Sequence, residues 1–206
     1  MSLWFIGVVI AALAWWLISR SNNKLAPADR SVLPEHFIVY DLETTGLNPA
    51  RHEIIEIGAI RVHRDGESHE TFQTFVRPTR RVPNRIVELT GITSDMVKSD
   101  GVPIAEALSD FRSFVGDLPL VAYNAAFDDA FLLAACKLTA TNKFENESCC
   151  ALKLARRAWP GRKSFRLADL ARDGNLSAEG THRALGDCRR TMIVYAAAAR
   201  EVGTYR

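Results

Sequence analysis

Five residues of this chain have side chains that could carry out hydrolysis together: Asp41, Glu43, Asp128, His182 and Asp187. Carboxylate oxygens are the ligands that Mg²⁺ and similar hard cations prefer in proteins. A histidine, with an ordinary pKa of about 6.5, can accept a proton at neutral pH. Four carboxylates and one imidazole therefore indicate a site with two metal ions and a general base, and such a site hydrolyses phosphodiesters.

Asp41 and Glu43 follow an apolar segment, Phe37 to Tyr40, that predicts a buried first strand. Because side chains alternate along a strand, both acids point to the same face. Two carboxylates this close repel each other unless a cation lies between them. The alternative, a solvated pair of surface acids, fits poorly with the apolar residues that precede them. The Thr44-Thr45-Gly46 run then predicts a tight turn that offers hydroxyls and amides to a phosphate.

The other three residues stand near the predicted starts of helices. Asp128 comes at a strand-to-helix junction, where a helix N-cap or a first-turn acid is the alternative role. His182 lies just before or at the start of the last predicted helix, and Asp187 lies five residues further on, within the helix. His182 can therefore swing from a less regular start, although a surface loop histidine is the alternative.

The hydrophobic pattern predicts the elements that position these residues. Predicted strands are 37–40, 54–62, 71–76 and 118–123, and predicted helices are 103–115, 128–138, 150–159 and 183–202. Asp65-Gly66 indicates a hairpin between the second and third strands. Strands followed by alternating helices and strands indicate an α/β fold, with a mixed sheet flanked by helices.

Composition limits the number of domains, the kind of nucleic-acid contact and the metal chemistry that the chain can have. The chain has 206 residues, 48% of them hydrophobic, which suits one globular domain with a short appendage. Its formal net charge of +2 means that any affinity for nucleic acid must come from local patches. The cysteines, of which Cys149 and Cys150 are adjacent, form no Cys-x-x-Cys pair, so we do not expect a zinc site. We expect all of them to be reduced thiols.

The N-terminal segment predicts a membrane anchor, because no charged residue occurs from Leu3 to Ile18 and tryptophans lie near both ends. As a helix it would span about 24 Å, a short but feasible crossing of a hydrocarbon core of about 30 Å. A cleaved signal peptide and a buried core helix are the alternatives. We expect an anchor over 1–19 with the N-terminus outside, a linker over 20–34, and a cytoplasmic catalytic domain over 35–206.

Five segments, in this order, resemble the DnaQ-like, or DEDDh, 3′→5′ exonucleases, and are similar to the proofreading exonuclease domains of bacterial DNA polymerase III. They are Asp41-Leu42-Glu43-Thr44-Thr45-Gly46, Ile54-Ile55-Glu56-Ile57-Gly58-Ala59, Leu89-Thr90-Gly91-Ile92-Thr93, Asn124-Ala125-Ala126-Phe127-Asp128 with Phe131-Leu132, and His182-Arg183-Ala184-Leu185-Gly186-Asp187. Each is a modest signal alone, but their order and spacing from about Glu35 to Arg200 make the resemblance specific.

The resemblance implies a ribonuclease H-like fold with a mixed five-stranded sheet and two divalent ions, Mg²⁺ or Mn²⁺. It implies that Asp41 bridges both ions, that Glu43 and Asp187 complete one ion site, and that Asp128 holds the second ion. His182 would be the general base that takes a proton from the attacking water. The product would be a 5′-mononucleotide released from a 3′ end.

Substrate contacts are predicted near these acids, at Thr44, Thr45, Gly46, Leu47, Ile92, Asn124 and Phe127. Leu47, Ile92 and Phe127 could wedge or stack against terminal bases, although Leu47 and Ile92 could equally belong to the core. Two basic clusters could contact phosphates or anionic lipid, or could be solvated faces. They are Lys153, Arg156, Arg157, Arg162, Lys163 and Arg166, and Arg77, Arg80, Arg81 and Arg85.

Two positions depart from the family pattern: Tyr123 stands where histidine is frequent, and Cys149-Cys150 stands where Asp-Thr is frequent. Neither replaces a predicted metal ligand. The leading hypothesis is a membrane-tethered exonuclease that acts on single-stranded nucleic acid, DNA rather than RNA. The alternatives are an exoribonuclease that acts on RNA 3′ ends or short oligonucleotides, and a catalytically silent binding or docking module.

Overall fold

The computed structural model describes residues 31–176 and 182–206. The strands are β1 (His36–Thr44), β2 (Ile54–His63), β3 (Glu70–Phe75), β4 (Leu120–Ala122) and β5 (Ser148–Cys150). The helices are α1 (Asn84–Thr90), α2 (Ser94–Ser99), α3 (Ile104–Val115), α4 (Ala125–Leu138), α5 (Ala151–Ala158), α6 (Leu167–Asp173) and α7 (Ala184–Val202). One sheet holds all five strands, in the order β3-β2-β1-β4-β5.

The sheet is mixed, as the sequence predicts. β1 and β3 each pair with β2 antiparallel, whereas β4 pairs parallel with both β1 and β5. The carboxyl ends of β1, β4 and β5 therefore meet at one edge of the sheet, where ligand sites of open α/β sheets usually lie. Here this edge carries Asp41, Glu43 and the starts of α4 and α5.

Helices cover both faces of the sheet, so the central strand β1 is buried on both sides. Ile38, Tyr40 and Leu42 pack into the core that α3 and α4 share with the sheet. Phe37 and Val39 pack into the core on the opposite face, which α5 and α7 cover. By the alternation of side chains, Asp41 and Glu43 point to the α7 face, and Asp187 lies in the first turn of α7.

A glycine lets α7 approach the sheet closely. A Cβ atom on Gly58 would lie 2.7 Å from the Cβ of Ala184 and 2.8 Å from the amide nitrogen of Leu185. Gly58 is the register partner of Asp41, and its carbonyl accepts a bond from the Cys188 thiol at 3.4 Å. The start of α7 therefore rests on the backbone of β2 beside Asp41.

Element boundaries differ from the predictions in ways that tertiary pairing explains. The first strand continues to Thr44, so Asp41 and Glu43 lie within it because β2 pairs with it along its length. No strand was predicted over Ser148–Cys150, whose last residue was assigned to the start of a helix, and this segment forms β5 because it pairs with β4. The helix that carries Asp128 begins earlier, at Ala125, which places this acid in the first turn. Helices α1, α2 and α6 were not predicted.

The predicted membrane localisation is corrected. Within residues 31–176 and 182–206 no helix combines the length and the apolar character needed to cross a bilayer. The segment assigned to the anchor, 1–19, lies outside the described residues. The described residues therefore give no support to a membrane anchor or a membrane partner.

Candidate active site

Three of the predicted metal ligands converge at the carboxyl edge of the sheet. Ligand oxygens of Asp41, Glu43 and Asp187 all lie within 4.8 Å of one another. Asp41 and Glu43 come from β1, and Asp187 comes from α7, more than a hundred residues later in the chain. The register of β1 on β2 shifts between Glu43 and Thr44, so the regular pairing breaks directly after the acids.

Asp128 approaches the same site from α4. Its Oδ1 accepts a hydrogen bond from the amide of Leu42, the residue between the two acids of β1, at 3.3 Å. Asp128 is almost fully buried, and its charge acts on Asp41. The neighbouring Asp129 has a different role, because its carboxylate accepts bonds from the hydroxyls of Tyr40 and Ser148.

Burial, with repulsion between neighbouring acids, raises the pKa values of Asp41, Glu43 and Asp128. Burial and the nearby charges of Asp128 and Glu43 raise the pKa of Asp41 well above its usual range. Burial, followed by repulsion from Asp187 and Glu56, raises the pKa of Glu43 to about 8. Burial also raises the pKa of Asp128 to about 8. A bound cation would lower these pKa values, because it stabilises the charged carboxylates that burial and repulsion disfavour.

His182 lies at the mouth of the site, before the first turn of α7. Its backbone φ of 58° is left-handed, a conformation that is uncommon for residues other than glycine. Its amide donates to Oδ2 of Asp187 at 3.2 Å, and the residue is exposed. Oδ1 of Asp187 accepts from the buried guanidinium of Arg190 at 2.7 Å. Asp187 thus holds the loop of His182 next to the acidic cluster.

Behind the cluster lies a buried ion pair that the sequence reasoning did not identify. Glu56 has no exposed surface, and it is the register partner of Glu43. It accepts bonds from the guanidinium of Arg183 at 2.8 Å, from the amide of Ala184 at 3.0 Å and from Gln73 at 2.7 Å. Glu56 therefore fixes Arg183, which separates His182 from α7, and Ala184, the first residue of α7.

The loop after β1 is held by its own hydroxyls. Thr44 donates to the carbonyl of Gly46 at 2.7 Å, and the hydroxyl of Thr45 accepts from the amide of Glu53 at 2.9 Å. A Cβ atom on Gly46 would lie 2.5 Å from the ring of His52. Leu47 at the tip is 79% exposed, so its side chain is available to a ligand.

The remaining predicted substrate residues divide between surface and core. Ile92 is fully buried in a small cluster with Ile55 and other apolar residues, so the core alternative is the correct one. Asn124 is exposed before α4. Phe127 is half-buried, with its ring centroid 4.9 Å from that of Phe131.

The two departures from the family pattern lie against each other. The Cys150 thiol donates to the carbonyl of Tyr123 at 3.5 Å, and the amide of Leu152 donates to the same carbonyl at 2.9 Å. The Tyr123 hydroxyl donates to the carbonyl of Phe165. Both departures therefore connect the start of α5 to the backbone that precedes Asn124.

A second group of ligand atoms forms at the opposite end of β1. Glu35, His36 and His63 place ligand atoms within 4.8 Å of one another. His36 and His63 are register partners across β1 and β2, a proximity that their separation in sequence does not reveal. This group is remote from the carboxyl edge and has no part in the site described above.

The mixed sheet, the helices on both faces and the acidic cluster at the carboxyl edge together define a metal-dependent phosphodiester hydrolase. The donor set fits divalent metal ions, since it consists of carboxylate oxygens whose buried charges favour a cation. Comparisons with known proteins agree with this class. A family model described as Exonuclease, that of RNase T, matches residues 38–195.

Two relatives illustrate the match in sequence. The DNA polymerase III subunit epsilon of Aquifex aeolicus is 36% identical over 176 residues, which cover 85% of this chain and 86% of that protein. The PolC-type DNA polymerase III of Bacillus subtilis is 38% identical over 168 residues, which cover 81% of this chain but only 12% of that protein.

Solved structures show the same fold. A zinc-bound E. coli exonuclease I complex with single-stranded DNA has a TM-score of 0.68 at 21% identity, covering 78% of this chain and 39% of that one. The complex of exonuclease I with a dT13 oligonucleotide has a TM-score of 0.69 at 23% identity, covering 79% and 40%. The chain belongs to the DnaQ-like 3′→5′ exonuclease family, whose members are hydrolases that use two divalent metal ions.

The buried pair of Glu56 and Arg183 gives a prediction about stability. Glu56→Gln removes the charge that accepts from Arg183 and from the amide of Ala184, and because Arg183 is itself partly exposed we expect the free energy of unfolding to fall by about 2 kcal/mol. Denaturant titration measures this loss. Glu88→Gln, a change at an exposed acid of α1, should leave stability unchanged. A Glu56→Gln protein as stable as the unsubstituted chain would contradict the role given to this pair.

The raised pKa values of the acidic cluster predict how stability depends on pH in metal-free protein. The native state keeps protons on Glu43 and Asp128 up to about pH 8, whereas unfolded carboxyls release them near pH ~4. Stability contributed by these groups is therefore complete below about pH 4 and falls as pH rises towards about 8. As pH rises from about 4 to about 8 in the presence of a chelator, Tm should fall more for the unsubstituted chain than for Glu43→Gln. Equal falls in the two proteins would contradict this prediction.

Proposed function

We propose that this protein hydrolyses the 3′-terminal phosphodiester bond of single-stranded nucleic acid, DNA in preference to RNA, and releases 5′-mononucleotides. One observation carries the proposal: Asp41, Glu43 and Asp187 bring their oxygens within 4.8 Å of one another, with Asp128 bonded to the strand between the first two. All four acids of the family pattern are present together with His182, which argues against a catalytically silent module.

In this proposal Asp41, Glu43, Asp128 and Asp187 hold the divalent ions. When bound, such ions lower the pKa of the attacking water and neutralise charge that develops on the phosphate. His182 accepts the proton of the attacking water on a ring nitrogen, as the exposed position of this residue permits. The water oxygen forms a bond to phosphorus as the bond between phosphorus and the 3′ oxygen of the penultimate nucleotide breaks, and that oxygen takes up a proton from solvent.

Arg183 and Arg190 limit the negative charge of the site. The Arg183 guanidinium lowers the pKa of Glu43, in opposition to the larger effects of burial and of neighbouring acids. Arg190 bonds directly to Asp187. Arg190 fixes Asp187 in the orientation from which its other oxygen accepts from the His182 amide.

Leu47, Asn124 and Phe127 form the proposed contacts to the terminal nucleotides, with the backbone of Thr44-Thr45-Gly46 beside them. Leu47 and Asn124 are exposed at the carboxyl edge, and Phe127 presents part of its ring. Ile92 is omitted because its side chain has no exposed surface. An aromatic or aliphatic contact to a base tolerates any sequence, as a non-specific exonuclease requires.

DNA is favoured as substrate because one relative is a subunit of DNA polymerase III, the other is a PolC-type DNA polymerase III, and the two structural neighbours were solved with single-stranded DNA. RNA 3′ ends are the second candidate, since discrimination rests on contacts to the 2′-hydroxyl. The proposed catalytic domain extends over 35–206.

A direct assay tests the proposal. The purified full chain, given Mg²⁺ or Mn²⁺, should release labelled mononucleotides from the 3′ end of a single-stranded DNA, and more slowly from RNA of the same sequence. Asp41→Ala should abolish release because it removes a carboxylate that would hold the divalent ions. Asp117→Ala, which removes an exposed acid outside the site, is the matched control. Intact 3′ label in every metal condition would refute the enzyme function.

His182 can be tested separately from the metal ligands. His182→Ala should lower kcat by about 10² to 10⁴-fold, the usual contribution of a general base. Binding of Mn²⁺, followed by calorimetry, should be retained. His69→Ala, on the connection between β2 and β3, serves as a control. Unchanged kcat in His182→Ala would show that another group accepts the proton.

A further inference from the structure

The basic cluster on α5 and the segment after it begins at the carboxyl edge of the sheet, the edge that carries the candidate active site. β5 ends at the carboxyl edge of the sheet, and α5 begins directly after it at Ala151. The amide of Leu152 bonds to the carbonyl of Tyr123, and Tyr123 precedes the exposed Asn124. The start of α5 is therefore joined by a hydrogen bond to the backbone that leads into the site.

The chain then turns back towards Tyr123 after α5 ends. Gly161 has a φ of 88°, which suits a reversal that other residues adopt only with strain. The Tyr123 hydroxyl donates to the carbonyl of Phe165. Burial raises the pKa of Tyr123 to about 12, and the positive charges of Arg156 and Arg162 act against this rise.

The cations of this cluster fall into two groups. Arg162 pairs with Asp173, Arg166 pairs with Asp169, and Arg157 bonds to the carbonyl of Arg206. Lys153, Arg156 and Lys163 are exposed and have no ion pair with any acid in 31–176 or 182–206. No acid occurs between Glu147 and Asp169 in the sequence.

The inner face of α5 is fixed by packing, so Lys153 and Arg156 are held on a rigid element. Ala151, Leu154, Ala155 and Ala158 are buried against the core beneath α7. Lys163 follows in the segment that the bond between Tyr123 and Phe165 holds in place. These three cations, which have no acidic partner in the described part of the chain, lie on a helix and a following segment that hydrogen bonds join to Tyr123, directly before the exposed Asn124. They are complementary to the phosphates of a nucleic acid backbone.

We propose that Lys153, Arg156 and Lys163 form a phosphate track that holds the substrate strand on the 5′ side of the bond to be cleaved. The inference rests on the proposed function. A 3′→5′ exonuclease leaves a single nucleotide beyond the cleaved bond, so nearly the whole strand lies on the 5′ side. The track contacts phosphates alone and therefore binds every sequence alike.

The second basic cluster, at 77–85, is the competing location. It follows β3 and lies beyond the loop that Gly46 and His52 form. Part of this cluster is already engaged within the protein, because Glu53 accepts a bond from the amide of Thr79 at 2.8 Å, and Arg77 bonds to the carbonyl of Gly101. A strand that follows this side would depend on Arg80, Arg81 and Arg85 instead.

Two variants with equal loss of charge distinguish these locations. The first is Lys153→Gln/Arg156→Gln/Lys163→Gln, and the second is Arg80→Gln/Arg81→Gln/Arg85→Gln. Each is assayed on a single-stranded oligonucleotide and on the p-nitrophenyl ester of thymidine 5′-monophosphate, which has a phosphodiester but no strand. The first variant should raise KM for the oligonucleotide about tenfold, and should reduce the slope of log KM against log salt by about 2. Its kcat and its hydrolysis of the ester should not change.

The outcomes separate the inference from the proposed function. Equal shifts in the two variants, a larger shift in the second, or no shift in the first would overturn the phosphate track while leaving the exonuclease intact. Failure of the unsubstituted chain on both substrates would overturn the proposed function itself. Should the first variant be unstable, the unsubstituted chain decides: the track requires a lower KM for a long oligonucleotide than for a dinucleotide, and equal values overturn it.

Discussion

Repulsion among buried carboxylates is the constraint on which the rest of the structure depends. Asp41, Glu43 and Asp187 are held with their oxygens within 4.8 Å, and Asp128 adds a fourth charge beside them. Such an arrangement disfavours the folded state unless cations offset it. The fold therefore stores electrostatic repulsion at one edge of its sheet, and divalent ions relieve that repulsion in the same place where a phosphodiester needs its charge neutralised.

The structure keeps these acids together through contacts that lie behind them. Glu56 binds Arg183 and the amide of Ala184, which fixes the entry into α7. Gly58 leaves room for Ala184 against β2. Both residues belong to the Ile54-to-Ala59 segment, which contributes no metal ligand. This segment instead determines how close α7, and with it Asp187 and His182, comes to β1.

Sequence patterns predicted β1 to β4 and the four longer helices, but they missed β5 and the short helices α1, α2 and α6. The hairpin strands and the last helix follow from hydrophobic spacing near the chain itself. β5 does not, since a run of Ser148–Cys150 becomes a strand only because β4 lies next to it. For the same reason Ile92 could be placed either in the core or at the substrate, and packing against Ile55 decided for the core.

The sequence by itself determined the chemistry: the acids, the histidine and their family spacing define an exonuclease, because side-chain types and local order are properties of the chain. Only the tertiary structure decided which side chains lie close to one another. It joined Asp187 to β1, buried Glu56 against Arg183, paired His36 with His63 across two strands, and left Lys153, Arg156 and Lys163 without an acidic partner among the described residues. Distances between remote segments follow from strand pairing and helix packing, which no local pattern encodes.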